Sequence, residues 1–212
     1  VETRWSYGFQ RGSCLRSRNS PPALSSELTA HKSQATNDLT TLAANISELK
    51  ATLAKAESSS QATAAQLGET IEKLKKVLLY LISHLDSAKY KTELIKLSFI
   101  LDYKYSKAFN SEQNATTVEY VKYNYGPYSE SFVDAFEQLK NAGAIVEVSL
   151  PFGAGFALGK EINSNGLDEK IKMIIDDVIK EYGKKPLREM KSFIYDLDEF
   201  KRTEFGKPIA LN

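Results

Sequence analysis

Residues 118–148 restrict the fold more than any other part of this sequence, because the residue pattern changes twice within them. The segment begins with β-branched and aromatic residues that alternate with polar ones, which is typical of a short β-strand. Gly126 and Pro127 interrupt this alternation. Glycine accepts backbone angles that other residues avoid, and proline lacks the amide that a continuing strand needs. We therefore predict that the strand ends before Gly126.

A helix followed by a β-hairpin is predicted directly after this interruption. Ser129 can cap the helix, and Glu130 in its first turn complements the positive end of the helix dipole. Apolar residues then recur at helical spacing until residues 141–143, a run typical of a helix end. A glycine-rich turn at residues 151–155 separates two further apolar runs. We predict one small antiparallel sheet, formed by residues 117–123, 144–150 and 156–161.

Helical periodicity covers most of the remaining chain from residue 70 onwards. Helices are predicted at residues 70–87 and 92–109, and a later helix ends at Gly183. Pro186 can open a last helix, since proline suits the first helical position. The predicted fold class is therefore α+β and mainly helical. Its order of helices, strand and hairpin suggests a winged-helix-like core with a small antiparallel sheet and a long N-terminal helix.

The N-terminal third of the chain differs in composition from the rest. Residues 1–24 contain four arginines without a regular period, which predicts a flexible basic arm. Residues 25–67 are predicted to form a helical or coiled-coil segment that breaks or bends near residues 58–61, and residues 68–212 are predicted to form the main domain. Apolar residues in the helical segment alternate spacings of three and four, as in a coiled-coil seam. This seam comprises Leu39, Leu42, Ile46, Leu49, Leu53 and Ala56.

A partner is needed to bury this seam, because such a helix is marginal alone in water. We favour homo-oligomerisation through residues 39–56 over packing of the helix on its own domain. The net charge of +1 gives no indication that nucleic acid or a membrane is the partner. No apolar run is long enough to span a bilayer, and Cys14 is the only cysteine. These observations lead us to expect a cytoplasmic protein.

The sequence carries none of the residue patterns on which common catalytic sites depend. It has two histidines, far apart in the chain, and one cysteine. It lacks the spacings typical of metalloproteases, phosphate-binding loops, redox dithiols and serine hydrolases. We therefore predict that the protein is not an enzyme and that it has no catalytic residues, no metal site and no cofactor.

Three stretches together resemble a known family. They are residues 94–99 with the following Asp102, the motif Tyr125-Gly126-Pro127 ahead of a helix, and the closing helix at residues 178–183. In this order they are similar to the Panacea domain of SocA-like antitoxins, over roughly residues 70–200. Where many relatives carry a threonine-histidine pair, this chain has Ile194 and Tyr195.

This resemblance implies an antitoxin that neutralises a cognate protein toxin by direct contact. Some SocA-like proteins also deliver the toxin to a protease, so a protease or chaperone is a second expected partner. Eight of the eleven tyrosines fall between Tyr80 and Tyr128, and tyrosine is enriched at interface hot spots. The predicted contact residues are Tyr123, Tyr125, Gly126, Pro127, Tyr128, Glu130, Asp134 and Glu137.

The alternative function is that of a winged-helix DNA-binding regulator. In that fold the third helix enters the major groove of DNA. The corresponding helix here carries Glu130, Asp134 and Glu137 against Lys140 alone. Since DNA binding depends on cationic side chains that neutralise phosphates, nucleic acid is the less favoured partner.

Overall fold

A computed structural model describes residues 22–111, 114–159 and 166–211 of the chain. Its helices are α1 (Pro22–Ser83), α2 (Lys91–Phe109), α3 (Glu130–Asn141), α4 (Glu169–Tyr182), α5 (Leu187–Asp196) and α6 (Asp198–Arg202). Its strands are β1 (Lys89–Tyr90), β2 (Val121–Tyr123), β3 (Gly126–Tyr128), β4 (Ile145–Leu150) and β5 (Gly153–Leu158). The predicted class, mainly helical with a small antiparallel sheet, is confirmed.

The chain divides into two compact units, Val1–Ser59 and Ser60–Asn212. In the first unit the described residues are helical, and the predicted seam is exposed to solvent: Leu39 is 72% and Leu49 69% accessible. Residues 58–61 are helical as well, so the helix does not break there. Almost the whole predicted arm, residues 1–24, lies outside the described residues.

The core of the second unit is built around α2. Five apolar side chains on this helix are inaccessible to solvent: Leu94, Leu97, Phe99, Ile100 and Leu101. The helix begins at Lys91 and ends before Asn110, whose positive φ of 45° closes it. Side chains from the end of α1 and from α3, α4 and α5 complete the same hydrophobic cluster.

The sheet of the second unit is antiparallel, with the strand order β1-β5-β4. The hairpin of β4 and β5 turns at Pro151 and Phe152, so Gly153 and Gly155 lie inside β5 and not in the predicted turn. Residues 160 and 161 of the third predicted strand lie outside the described residues. The two-residue strand β1, which pairs with Phe156 and Gly155, is too short to show a pattern in the sequence.

Residues 117–123 do not join this sheet, which corrects the prediction made from the sequence. Instead β2 pairs with β3 across a two-residue turn, and Gly126 and Pro127 belong to the second strand of that hairpin. Gly126 has a φ of +107°, a conformation that L side chains rarely adopt. The strand therefore does not simply stop before Gly126, because the chain reverses at residues 124–125 and continues as β3.

Pro127 fits into this hairpin because its partner does not need an amide from it. Lys122, which lies opposite Pro127, turns its backbone groups the other way. Its N–H donates to the carbonyl of Lys207, and its carbonyl accepts from the N–H of Gly206. The C-terminal segment thus flanks β2 on the side away from β3.

Within the part of the chain that the structure describes, no helix has the length and apolar character needed to cross a membrane.

Candidate protein-binding surface

The β2–β3 hairpin presents aromatic rings to solvent. Tyr123, Tyr125 and Tyr128 are 52%, 74% and 39% accessible. Phe205 from the C-terminal segment joins them, because its ring stacks on Tyr123 with centroids 5.3 Å apart. Tyr123 in turn lies 5.9 Å from the ring of Tyr128. We call these four residues the tyrosine patch.

A groove of about 390 Å³ runs beside the tyrosine patch. Two of its walls are the rings of Tyr123 and Tyr128, and its charged lining residues are Glu119 and Glu130. Neither glutamate forms an ion pair or side-chain hydrogen bond with another residue of the described ranges. We call this feature the acidic groove; its lining is completed by Val121, Ser129, Ser131 and Gly206.

The start of α3 fixes one end of the acidic groove. Ser129 is buried and caps the helix as predicted, with its side-chain oxygen accepting from the N–H of Phe132 at 3.3 Å. Phe132 and Phe136 are buried beneath the helix. The cap thus orients Glu130, the first residue of α3, towards the groove.

The structure places the eight predicted contact residues in different surroundings. Tyr123, Tyr128 and Glu130 line the groove, and Tyr125 is exposed at the turn of the hairpin without lining it. Gly126 and Pro127 are buried, so they shape the hairpin and do not offer side chains to a partner. Asp134 is exposed on α3 but does not line the groove.

Glu137 differs from the other predicted contact residues because it already has a partner. Lys91 Nζ lies 2.9 Å from a carboxylate oxygen of Glu137. The hydrogen bond and charge of Lys91 lower the pKa of Glu137. Its place in the predicted contact is therefore not supported by the geometry.

Sequence reasoning missed Glu119 and Phe205. Glu119 is a polar residue in an alternating run, and nothing in the sequence distinguishes it from an ordinary exposed strand residue. Phe205 lies far along the chain from the hairpin and reaches it only because residues 206–209 lie along β2. The sole signal was its apolar ring in a polar stretch.

A buried hydrogen-bond network holds the segment that leads into β2. The carboxylate of Asp102, on α2, accepts from the Thr116 N–H at 2.8 Å, the Thr116 hydroxyl at 2.5 Å and the Tyr120 hydroxyl at 2.8 Å. Asp102 and Thr116 are inaccessible to solvent, and Tyr120 is only 1% accessible. Burial raises the pKa of Asp102 to about 6, although the hydrogen bonds from Thr116 and Tyr120 act in the opposite direction. This network fixes the start of the hairpin relative to α2.

A second buried charge lies on α2 below the hairpin. Lys96 is only 3% accessible. A Cβ atom placed on Gly126 would stand 3.7 Å from its ammonium nitrogen and 3.7 Å from the ring of Tyr195. Burial, and secondarily the positive charge of Lys191, lower the pKa of Lys96 to about 8.

The described residues contain no group of three or more His, Cys, Asp or Glu side chains that could hold a metal ion. His84 is engaged locally, since its Nδ1 lies 2.8 Å from the carbonyl oxygen of Tyr80 and 2.9 Å from the Ser83 hydroxyl. Its ring also stacks on that of Tyr80. The side chains exposed at the hairpin and its groove are aromatic rings and carboxylates.

Comparison with known proteins does not assign the chain to a family. No family model matches the chain, and no match was found among curated proteins or solved structures. The likeness of Tyr125-Gly126-Pro127 and its neighbours to SocA-like antitoxins therefore stays a prediction from the sequence.

Proposed function

We propose that this chain is a protein-binding module of the antitoxin type, which neutralises a protein toxin by direct contact. The observation that supports this most is the tyrosine patch beside the acidic groove. Monomeric proteins seldom expose several neighbouring aromatic rings unless a partner covers them. Tyrosine also supplies a large contact area with little loss of side-chain freedom.

A basic toxin surface is the partner that fits this site best. Glu119 and Glu130 place two negative charges in the groove, and the faces of Tyr123 and Tyr128 attract cations. The N-terminus of α3 opposes them with only about half a positive charge. A lysine or arginine of the toxin would therefore find both carboxylates and ring faces in one place.

We further propose that the core of the second unit is winged-helix-like. Its support is the order of the end of α1, β1, α2, α3 and the β4–β5 hairpin, together with the pairing of β1 with β5. In this comparison β2 and β3 are an insertion before the third helix. The exposed carboxylates of Glu130 and Asp134 on α3 disfavour DNA as its ligand.

The tyrosine patch can be tested by co-expression with the toxin encoded by the neighbouring reading frame. We expect the wild-type chain to restore growth. Tyr123→Ala should weaken toxin binding about 10- to 30-fold, because Tyr123 contacts both Phe205 and Tyr128 and lines the groove. Growth rescue at limiting expression and calorimetric titration of the purified pair measure the effect.

A matched control tests whether the loss of any exposed aromatic ring weakens toxin binding, or only the loss of a ring in the tyrosine patch. Phe152→Ala removes a ring that is 93% accessible at the β4–β5 turn, away from the patch, and should leave rescue intact. If both variants melt at the same temperature as the wild type, neither substitution affects folding. Full rescue by Tyr123→Ala, or a neighbouring gene that does not inhibit growth, would contradict the proposed function.

Self-association through α1 is proposed separately from toxin binding. The exposed seam of residues 39–56 repeats the spacing that buries apolar side chains between paired helices. We expect the purified chain to have at least twice the mass of one chain in light scattering. The double variant Leu42→Lys and Leu49→Lys should return it to one chain mass, because it places charges in the seam.

The control for this experiment adds the same charges to the opposite side of the helix. Ala44→Lys with Ala51→Lys lies about half a turn away from the seam, on exposed positions, and should leave the mass unchanged. A wild-type chain of single mass would refute self-association and leave the proposed toxin contact unaffected.

A further inference from the structure

We propose that Lys96 and Lys191 form a binding site for a carboxylate group of another polypeptide, beside the β2–β3 hairpin. Lys96 reaches this place from α2 and Lys191 from α5. Lys191 Nζ lies 6.0 Å from the ring centre of Tyr125 and 5.8 Å from that of Tyr195. The site therefore adjoins the tyrosine patch at Tyr125.

No carboxylate of the described chain neutralises Lys96. On α2 itself, Glu93 accepts from the N–H of Tyr90, and Asp102 is occupied by the buried network. On α4, which packs against α2, Glu181 is engaged by Lys104. The charge of Lys191 on α5 does act on Lys96, but it has the same sign and lowers the pKa of Lys96 further.

An ammonium group in this position is costly, because burial removes water without providing a counter-charge. The lowered pKa of Lys96, about 8, agrees with this cost. An incoming carboxylate would supply the missing charge and hydrogen-bond acceptors. Binding of a carboxylate would therefore offset the free-energy cost of burying the Lys96 charge.

An open cavity of about 480 Å³ lies on the same side of α5. Its lining residue Tyr195 also borders the space at Gly126 next to Lys96. Its charged lining residues, Arg188 and Lys191, are both cationic, and Ser192 adds a hydroxyl. An anionic side chain could enter here, guided by the positive potential.

Gly126 contributes to the site because it has no side chain. A side chain at this position would fill the space next to the Lys96 ammonium, 3.5 Å from Cε. Its φ of +107° also keeps the hairpin in a shape that other residues rarely adopt. The hairpin backbone can thus lie close to the lysine without covering it with a side chain.

A carboxylate matches the site better than a phosphate does. A single negative charge suffices for the one buried ammonium of Lys96, whereas a phosphate dianion usually requires several donors in a cradle. Arg188 and Ser192 line the open cavity, but the atoms nearest a Cβ on Gly126 belong to Lys96 and Tyr195. The acceptor would be an aspartate, a glutamate or a chain terminus of the partner. This inference does not depend on a toxin, since free acetate carries the same group.

The experiment titrates the full-length chain, labelled with carbon-13 at lysine Cε, with sodium acetate against sodium chloride at constant ionic strength. We expect acetate to raise the pKa of Lys96 in a saturable manner. Because only the protonated lysine binds, the affinity for acetate should fall about tenfold per pH unit above pH 8. Lys96→Met should lower the affinity at least tenfold and abolish its pH dependence.

Two further variants make the result specific. Lys191→Met should weaken acetate binding and raise the pKa of Lys96, because it removes a like charge. Lys184→Met removes an exposed lysine paired with Asp86 and should change neither quantity. Equal effects of acetate and chloride, or unchanged binding in Lys96→Met, would overturn the site; tighter binding of inorganic phosphate would overturn the choice of a carboxylate.

Discussion

Replacing Asp102 with leucine is expected to lower the free energy of unfolding by about 3 to 5 kcal/mol, the largest single effect that we anticipate. The leucine would fill a similar volume but could not accept hydrogen bonds. Three donors would then be buried without partners, namely the Thr116 N–H, the Thr116 hydroxyl and the Tyr120 hydroxyl. Each unpaired buried donor costs about 1 kcal/mol or more.

Denaturant unfolding followed by circular dichroism measures this effect, with two controls. Asp102→Asn keeps an acceptor of the same shape and should lose about 1 kcal/mol. Tyr120→Phe removes one of the three donors together with its bond and should lose a similar amount. If Asp102→Leu were as stable as Asp102→Asn, the network would not be what holds this segment.

The same network has a pH signature. Folding raises the pKa of Asp102 from an ordinary value of 3.8 to about 6, because the carboxyl is buried. Between these values the folded chain keeps a proton that the unfolded chain has lost. The contribution of Asp102 to stability therefore falls as the pH rises from about 4 to 6. This fall should be absent from Asp102→Asn, measured by unfolding at each pH.

Replacing Lys96 with methionine is expected to stabilise the protein by about 2 kcal/mol at pH 7. Methionine keeps the length of the apolar stem but carries no charge to bury. The ordinary pKa of 10.5 falls to about 8 on folding, and each pKa unit corresponds to about 1.4 kcal/mol. Solvent that reaches the site screens the charge, so the expected stabilisation is smaller than the pKa shift alone would give.

The dependence of this gain on pH identifies its cause. Above pH 8 the folded chain releases the Lys96 proton, whereas the unfolded chain holds it until about pH 10.5. The stability of the wild type should therefore rise relative to Lys96→Met between pH 8 and pH 10.5, and the difference should be greatest below pH 8. Lys184→Met should show no such dependence. A Lys96→Met variant less stable than the wild type at pH 7 would contradict this prediction.

Asp102 and Lys96 are expected to have opposite effects on stability from the same helix, α2. Asp102 stabilises the approach to the hairpin, while Lys96 costs free energy beneath it. A destabilising buried lysine is more readily understood if a partner's carboxylate neutralises it. The stability experiment measures the cost of burying the Lys96 charge, and the acetate experiment measures whether a carboxylate compensates it.

Local sequence patterns predicted the helices of the second unit well. The cap at Ser129, the end of α4 at Gly183 and the start of α5 after Pro186 agree with the structure. These features depend on backbone groups within one turn of the residues concerned. The exposed tyrosines of the hairpin were also expected, since alternate positions of a strand cannot all face the core.

The sequence by itself determined the cap of α3 at Ser129 and the end of α4 at Gly183, because these depend on spacing and capping along the chain. It did not show that α1 continues from Pro22 to Ser83. Only the tertiary structure decided the strand partners, since β2 could pair with β3 or with the sheet until the turn at residues 124–125 was formed. The tertiary structure also stacks Phe205 on Tyr123 and pairs Glu137 with Lys91. It places Lys191 where its charge lowers the pKa of Lys96. Contacts between distant segments depend on how whole elements pack, and no local pattern of residues encodes them.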